Sequence, residues 1–324
     1  MPFFSVCVPP SYKEVLRLDK YIASLPIDMN RSKLKSGATE ILVNGKKQKL
    51  SFKIKGGDKI DIQWEEKVPE FIEPENIPLD ILYEDDDVCV INKPQGMVTH
   101  PACGNWNGTL VNALLYHLKK ESIPLTEDSP LEERRPGIVH RLDKDTSGII
   151  ITAKNRKEKE FLSAQFSSHR NITKDYIAVC FGRPHKKSGI IRTKIIRDPR
   201  DRKRFKAVDQ TYPDGKLAVS TYRCVSCYGE YSLMKIRIYT GRTHQIRVHM
   251  KYINCPILGD PIYFKEDKKF PSATLMLHAR HIALPVNEDG KKLDIKTPLP
   301  ERFKKIMKIL KRDFKKSILP EEKD

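Results

Sequence analysis

Gly137-Ile-Val-His-Arg-Leu-Asp-Lys-Asp-Thr-Ser-Gly-Ile-Ile-Ile-Thr-Ala153 places a polar cluster directly before an apolar run. The run predicts a strand, and polar residues gathered at a strand edge are where a rigid scaffold presents functional side chains. Alternate residues of an extended segment share a face, so Asp143 and Asp145 are placed to point one way. Paired carboxylates fit glycoside cleavage, with one acid and one base or nucleophile. Asp145-Thr-Ser-Gly148, however, is also a good turn sequence in which the aspartate bonds backbone. Asp145 is therefore assigned to the turn, and Asp143 is the reactive candidate.

Working outward, Ile81-Leu-Tyr-Glu-Asp-Asp-Asp-Val-Cys-Val-Ile-Asn-Lys-Pro94 sets two apolar strands about an Asp-rich turn, a hairpin signal. Strands then alternate irregularly with helices, and no repeat of about 20 to 50 residues occurs. The prediction is an α+β fold with a mixed, mainly antiparallel sheet and flanking helices. Neither Gly-x-Gly-x-x-Gly nor Gly-x-x-x-x-Gly-Lys-Ser/Thr is present, so nucleotide-driven and dinucleotide-dependent chemistry lose their usual support. Phe303, Ile306, Met307, Leu310 and Phe314 recur at helical spacing with lysines on the other face. They predict an amphipathic helix starting near Pro300 and packed on the sheet.

A second polar cluster, Tyr239-Thr-Gly-Arg-Thr-His-Gln-Ile-Arg-Val-His-Met250, holds Arg242, His244, Gln245, Arg247 and His249. His244 and His249 are five apart with no carboxylate between them, which is not the spacing of a helical metal pair. An arginine beside a carboxylate favours its charged form, so if Arg242 meets Asp143 the aspartate is kept as a nucleophile or base. For Arg247 the alternative is a surface run that reads only phosphates. Cys224-Val-Ser-Cys227 lies in an alternating stretch that reads as strand, and no second pair stands at finger spacing, so no metal is expected. Seven scattered cysteines fit a reduced cytosol better than a disulfide framework. No apolar run approaches the roughly 18 residues of a membrane span, and the proline-broken N-terminus reads as no signal peptide.

The 324 residues carry a formal charge of +18, unevenly spread. Residues 1–64 hold +6, residues 65–87 hold −9, and the remainder holds +21. An acidic, proline-punctuated stretch between basic blocks predicts a solvated linker, placed at 66–78. Before it, Leu16–Ile22 and Asn30–Gly37 read as two small helices, Ile41–Lys46 as a strand with an Asn-Gly turn, and Gly56–Ile62 as a turn and strand. After it, His185–Lys206 packs ten Lys and Arg against two Asp and reads as a loop tracking phosphates.

His140-Arg-Leu-Asp-x-x-Thr-Ser-Gly148, Asn92-Lys-Pro-x-Gly-Met-Val-Thr-His-Pro101, Lys174-x-Tyr-x-Ala-Val179, Gly241-Arg-Thr-His-Gln-Ile-Arg247, Ile257-Leu-Gly-Asp260 and Leu277-His-Ala279 are six motifs of this chain. In their order along it they resemble the RluA-type pseudouridine synthases, uridine isomerases of large-subunit ribosomal RNA and transfer RNA. Residues 15–65 resemble the S4 RNA-binding domain, which implies that Arg31, Lys33, Lys35 and Lys46 meet phosphates. The resemblance implies a catalytic domain over 79–312 and a charged tail over 313–324. It implies Asp143 as nucleophile at C1′ or base at C2′, Tyr176 stacked on the base and placed to relay the C5 proton, and Arg242 paired to Asp143. Arg141 would fill the stack left by a flipped nucleotide, His140 would meet a phosphate, and Leu277 would wall the base pocket. No cofactor is implied, the chain is expected to be a cytoplasmic monomer, and 23S-type rRNA is the favoured partner with tRNA the alternative. Ser220 departs mildly from the family pattern, keeping a hydroxyl and losing a methyl. The rivals are a non-enzymatic RNA-binding protein with an eroded pocket and a metal-dependent phosphodiesterase.

Overall fold

The computed structural model describes residues 3–12, 14–25, 34, 37–64, 69–102, 104–124, 136–168, 171–201, 204–288 and 290–318. They divide into two compact units, 1–71 with 102–106, and 72–101 with 107–324.

The small unit opens with β1 (Phe3–Cys7), followed by β2 (Leu16–Arg17), helix α1 (Leu18–Ser24), β3 (Ala38–Val43), β4 (Lys46–Lys47), β5 (Lys53–Ile54) and β6 (Lys59–Trp64). Its sheet runs β1-β6-β3-β4. The expected first helix, Asn-Gly turn and closing strand are all present, and Asn44 and Gly45 both have positive φ (51° and 74°), as a tight hairpin turn requires. Leu18, Ile22, Leu34, Ile54, Ile60 and Ile62 form a fully buried core. The unit begins earlier than position 15, because Phe4 and Val6 pack toward that core while β1 pairs with β6. Arg31, Lys33 and Lys35 lie outside the described residues.

After β7 (Phe71–Ile72), which spans the division of the chain at residue 71, the large unit continues with the expected hairpin β8 (Ile81–Glu84) and β9 (Val88–Lys93). Asp85 makes the turn by accepting the amides of Asp87 and Val88 at 2.9 and 2.8 Å. Helix α2 (Leu110–His117), β10 (Ile123–Pro124), β11 (Ser147–Ala153), helix α3 (Arg156–Ser168), β12 (Thr173–Phe181), β13 (Ser188–Arg197), β14 (Phe205–Val208), β15 (Lys216–Tyr228) and β16 (Tyr231–Ile238) follow. Helix α4 (Gln245–Tyr252), β17 (Leu277–Val286), β18 (Lys291–Lys296) and helix α5 (Glu301–Ile318) complete the chain. Ten strands form one sheet in the order β14-β13-β15-β16-β12-β17-β11-β9-β8, with β18 paired to β17. Only the β11–β17 pair is parallel among these strands. The sheet is thus mixed and mainly antiparallel, in an α+β fold.

All seven residues of β11 are buried, the continuous apolar run of a strand covered on both faces. Ile150, Ile91 and Cys89 face one core, and Ile149, Ile151, Val88 and Val90 face the other. Two boundaries differ from expectation. The acidic stretch is not a solvated tether throughout, because Ile72 is buried on Val111 and Leu115, Ile77 and Leu79 pack on the main core, and the Glu73 carbonyl accepts Asn112 Nδ2 at 2.8 Å. The stretch alternates acid with apolar anchors, and the anchors dock. Helix α5 buries Phe303, Met307 and Leu310 as its spacing predicts, but continues to Ile318, so no separate tail begins at 313.

Candidate active site

The turn that carries Asp143 is held by the segment just after β9. Lys93, fully buried, donates its Nζ to the carbonyls of Pro94, Met97 and Lys144 at 2.9, 2.8 and 3.2 Å. Burial pulls its ammonium down to about 8, and the charges of Asp143 and Asp145 oppose that shift. Thr99 Oγ1 donates to the Leu142 carbonyl at 3.0 Å, Gln95 Nε2 to that of Asp145 at 2.8 Å, and the Gly96 amide to that of Lys144 at 2.9 Å. The Thr146 amide closes back on the Asp143 carbonyl at 3.0 Å. Each backbone carbonyl from 142 to 145 therefore has a donor, which fixes the direction in which Asp143 projects. This gives a physical meaning to Asn92–Pro101. Gly148 is required where β11 leaves the turn, since at its φ of 115° a Cβ would stand 2.2 Å from the Ala279 carbonyl oxygen.

Asp143 lines a cleft of about 80 Å³ together with Arg141, Tyr176, Arg242, His244, Arg247 and Leu277, among others, and among the described residues it is the only acid of that lining. Tyr176 enters from β12, where the register to β17 shifts between Asp175 and Tyr176, and Leu277 from the start of β17. A register shift re-aims side chains next to a site.

The cation beside Asp143 is Arg247, not Arg242. Arg247 Nη1 stands 3.6 Å from Asp143 Oδ2, while Arg242 donates its Nε to the Leu217 carbonyl at 3.0 Å on the cleft wall. Helix α4 explains the exchange. It starts after His244, whose left-handed backbone (φ 56°) turns the chain into the helix, and residues three apart then share a face. His244 Nε2 lies 3.9 Å from Asp143, next to Arg247. Arg247 is 3% exposed and binds Asp260 through two bonds of 2.8 and 2.7 Å, so it is no surface phosphate contact. Its guanidinium lies 5.2 Å over the Tyr263 ring. The Tyr263 hydroxyl accepts the Phe205 amide at 2.8 Å and sits 2.9 Å from His244 Nδ1. With the phenol donating to Nδ1, the neutral imidazole turns Nε2–H toward Asp143. Burial lowers the His244 imidazole, with Asp143 opposing.

Gln245 and His249 brace this wall from behind. Gln245 accepts from Thr240 Oγ1 and the Arg242 amide at 2.7 and 3.0 Å and donates to Ser220 Oγ at 2.9 Å. His249, fully buried, lies 2.9 Å from Ser220 Oγ and 3.1 Å from Thr193 Oγ1, and burial pulls it down to about 4. The hydroxyl that Ser220 keeps is thus used twice. His140 is likewise turned inward, where it stacks on Phe166 at 4.5 Å, accepts the Ile151 amide at 3.0 Å, and is pushed by burial and then by Lys174 down to about 3. An imidazole so bonded braces β11 as a neutral ring. Arg141 next to it is exposed at the cleft. Tyr176 and Leu277 are buried in the cleft wall, and burial, aided by the charge of Asp143, raises the Tyr176 phenol.

Asp145 does not line the cleft; its carbonyl, held by Gln95, serves the turn. The sequence reading missed Lys93, Asp260 and Tyr263. Among the described residues, Glu84, Cys89 and His117 are grouped at metal-ligand spacing. Glu84 is already bonded to His117 and Lys154, both at 2.9 Å, and burial raises the Cys89 thiol to about 12.

The sheet beside which this carboxylate, arginine and tyrosine meet is shared with solved pseudouridylate synthases at the level of fold. Human RNA Pseudouridylate Synthase Domain Containing 4 superposes with a TM-score of 0.55 and 25% identity, covering 71% of this chain and 92% of its own. Human RNA Pseudouridylate Synthase Domain Containing 1, at 22% identity and the same TM-score of 0.55, covers 72% and 95% and shares the fold. The chain belongs to the RNA pseudouridylate synthase family, which it matches over residues 87–252, and is an isomerase of RNA uridine. It is 42% identical over 297 residues to Ribosomal large subunit pseudouridine synthase D of Borreliella burgdorferi, covering 90% of this chain and 88% of that one. It is 37% identical over 300 residues to the uncharacterized RNA pseudouridine synthase YlyB of Bacillus subtilis, covering 92% and 95%.

Proposed function

We propose that the chain converts uridines of large-subunit ribosomal RNA to pseudouridine without a cofactor, with Asp143 as the reacting carboxylate. The observation that carries this reading is that Asp143 is the single acid among the described residues of the cleft and faces a buried arginine. The reaction detaches uracil from C1′, turns it and rejoins it through C5. One carboxylate suffices, acting as nucleophile at C1′ or as base at C2′, because no water has to be activated. Arg247 supplies the opposite charge from a position fixed by Asp260, so the pair is organised before substrate arrives. Tyr176 stands as a neutral phenol against the base, suited to relay the C5 proton rather than to act as a phenolate. Leu277 walls the base, and Arg141 fills the stack that the flipped nucleotide leaves, a flip that costs a few kcal/mol.

The rRNA substrate is supported by the name of the Borreliella burgdorferi relative. The basic charge of the large unit gathers RNA, and an S4-like small unit, with Arg31 and Lys33 assigned to phosphates, positions it. The enzyme acts as a monomer. Incubation with unmodified large-subunit rRNA and with tRNA, followed by carbodiimide-dependent reverse-transcription stops, tests this reading. Pseudouridine in the rRNA that vanishes with Asp143→Asn is expected. Product only in tRNA reassigns the substrate, and product in neither, or full activity in Asp143→Asn, sinks the proposal. Deuteration at C2′ separates the two roles, since only the base mechanism breaks that C–H bond and shows a primary isotope effect.

A further inference from the structure

A second groove opens beside the catalytic cleft. It has a volume of about 520 Å³ against about 80 Å³ for the cleft, and Gly241, Arg242 and Thr243 line both. The other lining includes Arg197 and Phe205, directly opposite each other on β13 and β14, and Lys216 at the start of β15. The Arg197 guanidinium lies 5.3 Å from the Phe205 ring centroid. An aromatic ring and a guanidinium plane flanked by further cations are the two elements that hold an unpaired nucleotide, the ring by stacking and the cations by its phosphates. Asp214 is the one acid among the described residues of the groove. It sets an acceptor there, suited to a ribose hydroxyl or a base amino group.

We propose that this groove is the subsite for a nucleotide adjoining the target uridine, with its base stacked on Phe205 and Arg197 and its backbone passing Lys216 and Arg242. The inference rests on the RNA reading above and assigns residues that the isomerisation itself leaves unused. Three observations support it. The groove is continuous with the cleft through Arg242, which lines both and donates its Nε to the Leu217 carbonyl. Its cations complement a polyanion. Phe205 is also wired to the reacting carboxylate, since its amide donates to the Tyr263 hydroxyl, Tyr263 meets His244, and His244 faces Asp143. The Phe205 ring meets the His244 ring edge to face at 5.6 Å. The ring that would carry the base is therefore two contacts from Asp143.

The test uses a stem-loop around the uridine that the wild-type chain modifies in unmodified large-subunit rRNA. Each neighbour of that uridine is in turn left intact or made abasic. Phe205→Leu keeps the apolar volume that packs against Ile195 and Tyr263, and Phe205→Tyr keeps the ring. With intact RNA, Phe205→Leu is expected to weaken binding by about 5-fold or more, the lower end of what base–aromatic stacking supplies, while Phe205→Tyr stays near wild type. With one neighbour abasic, wild type should fall to the level of Phe205→Leu, and the substitution should cost nothing further. Equal losses on intact and on both abasic RNAs, or no loss on intact RNA, overturn the subsite and leave the isomerase reading standing. A wild-type chain that makes no pseudouridine in any RNA removes both. Unchanged thermal midpoints in the two variants exclude misfolding as the source of a loss.

Discussion

His140–Gly148 and Gly241–His249 are the two polar runs of the catalytic domain, and they sort their side chains by different rules. The first is a turn entering a strand. Asp143 projects into the cleft, and the carbonyls of residues 142, 144 and 145 are tied down from outside by Lys93, Gln95, Gly96 and Thr99. The second begins as a loop and becomes a helix at Gln245, so its cleft-facing pair is His244 and Arg247, three apart. Each run also sends one histidine inward as a neutral brace, His140 onto Phe166 and His249 onto Ser220 and Thr193. The lesson is that a dense polar run is not one site. Its members divide by local period into those that line the cleft and those that hold the others in place.

The largest effect belongs to the first run. Asp143→Asn, nearly isosteric, should lower single-turnover pseudouridine formation by about 10³-fold or more while RNA binding by filter retention stays within a few-fold. The second run divides more subtly. Arg247→Met leaves buried Asp260 without its partner, so urea unfolding should show a loss of about 3 to 5 kcal/mol alongside lost activity. Arg242→Met should leave the unfolding midpoint nearly unchanged and weaken RNA binding instead. The reverse ranking would restore Arg242 as the partner of Asp143.

The two inward histidines predict acid sensitivity. Their unfolded forms take up a proton near pH 6.5, whereas His140 and His249 in the fold do so only near about 3 and about 4. Between those limits the unfolded chain binds more protons, so stability falls as pH falls, by about 1.4 kcal/mol per pH unit for each histidine. Urea unfolding at pH 7 and pH 5 measures this, and His249→Gln should remove its share of the slope. The smallest effect lies outside both runs. Arg200→Gln and Lys206→Gln should each reduce the slope of log affinity against log salt by about 1, across RNA sequences alike.

The turn, the buried strand and the place of Asp143 at the cleft were legible because turn chemistry and an unbroken apolar run are local signals. The hairpin around Asp85 and the face of α5 were legible for the same reason. Arg247 was not, because its role depends on the residue at which α4 begins, and a left-handed histidine at that point leaves no mark in composition. Lys93 was quoted in a motif without a role, since its partners lie one, four and 51 positions away and only the fold assembles them. The docking of the acidic stretch escaped for a plainer reason. Its charge outweighs two or three apolar anchors in any average, although those anchors decide where it lies.

The ammonium of Lys93 stands among three carbonyl oxygens, much as an alkali cation stands inside an ionophore. A loop organised around a free ion loses its shape when the ion is dialysed away. Here the cation is part of the chain, so it cannot be dialysed away from the turn beneath Asp143.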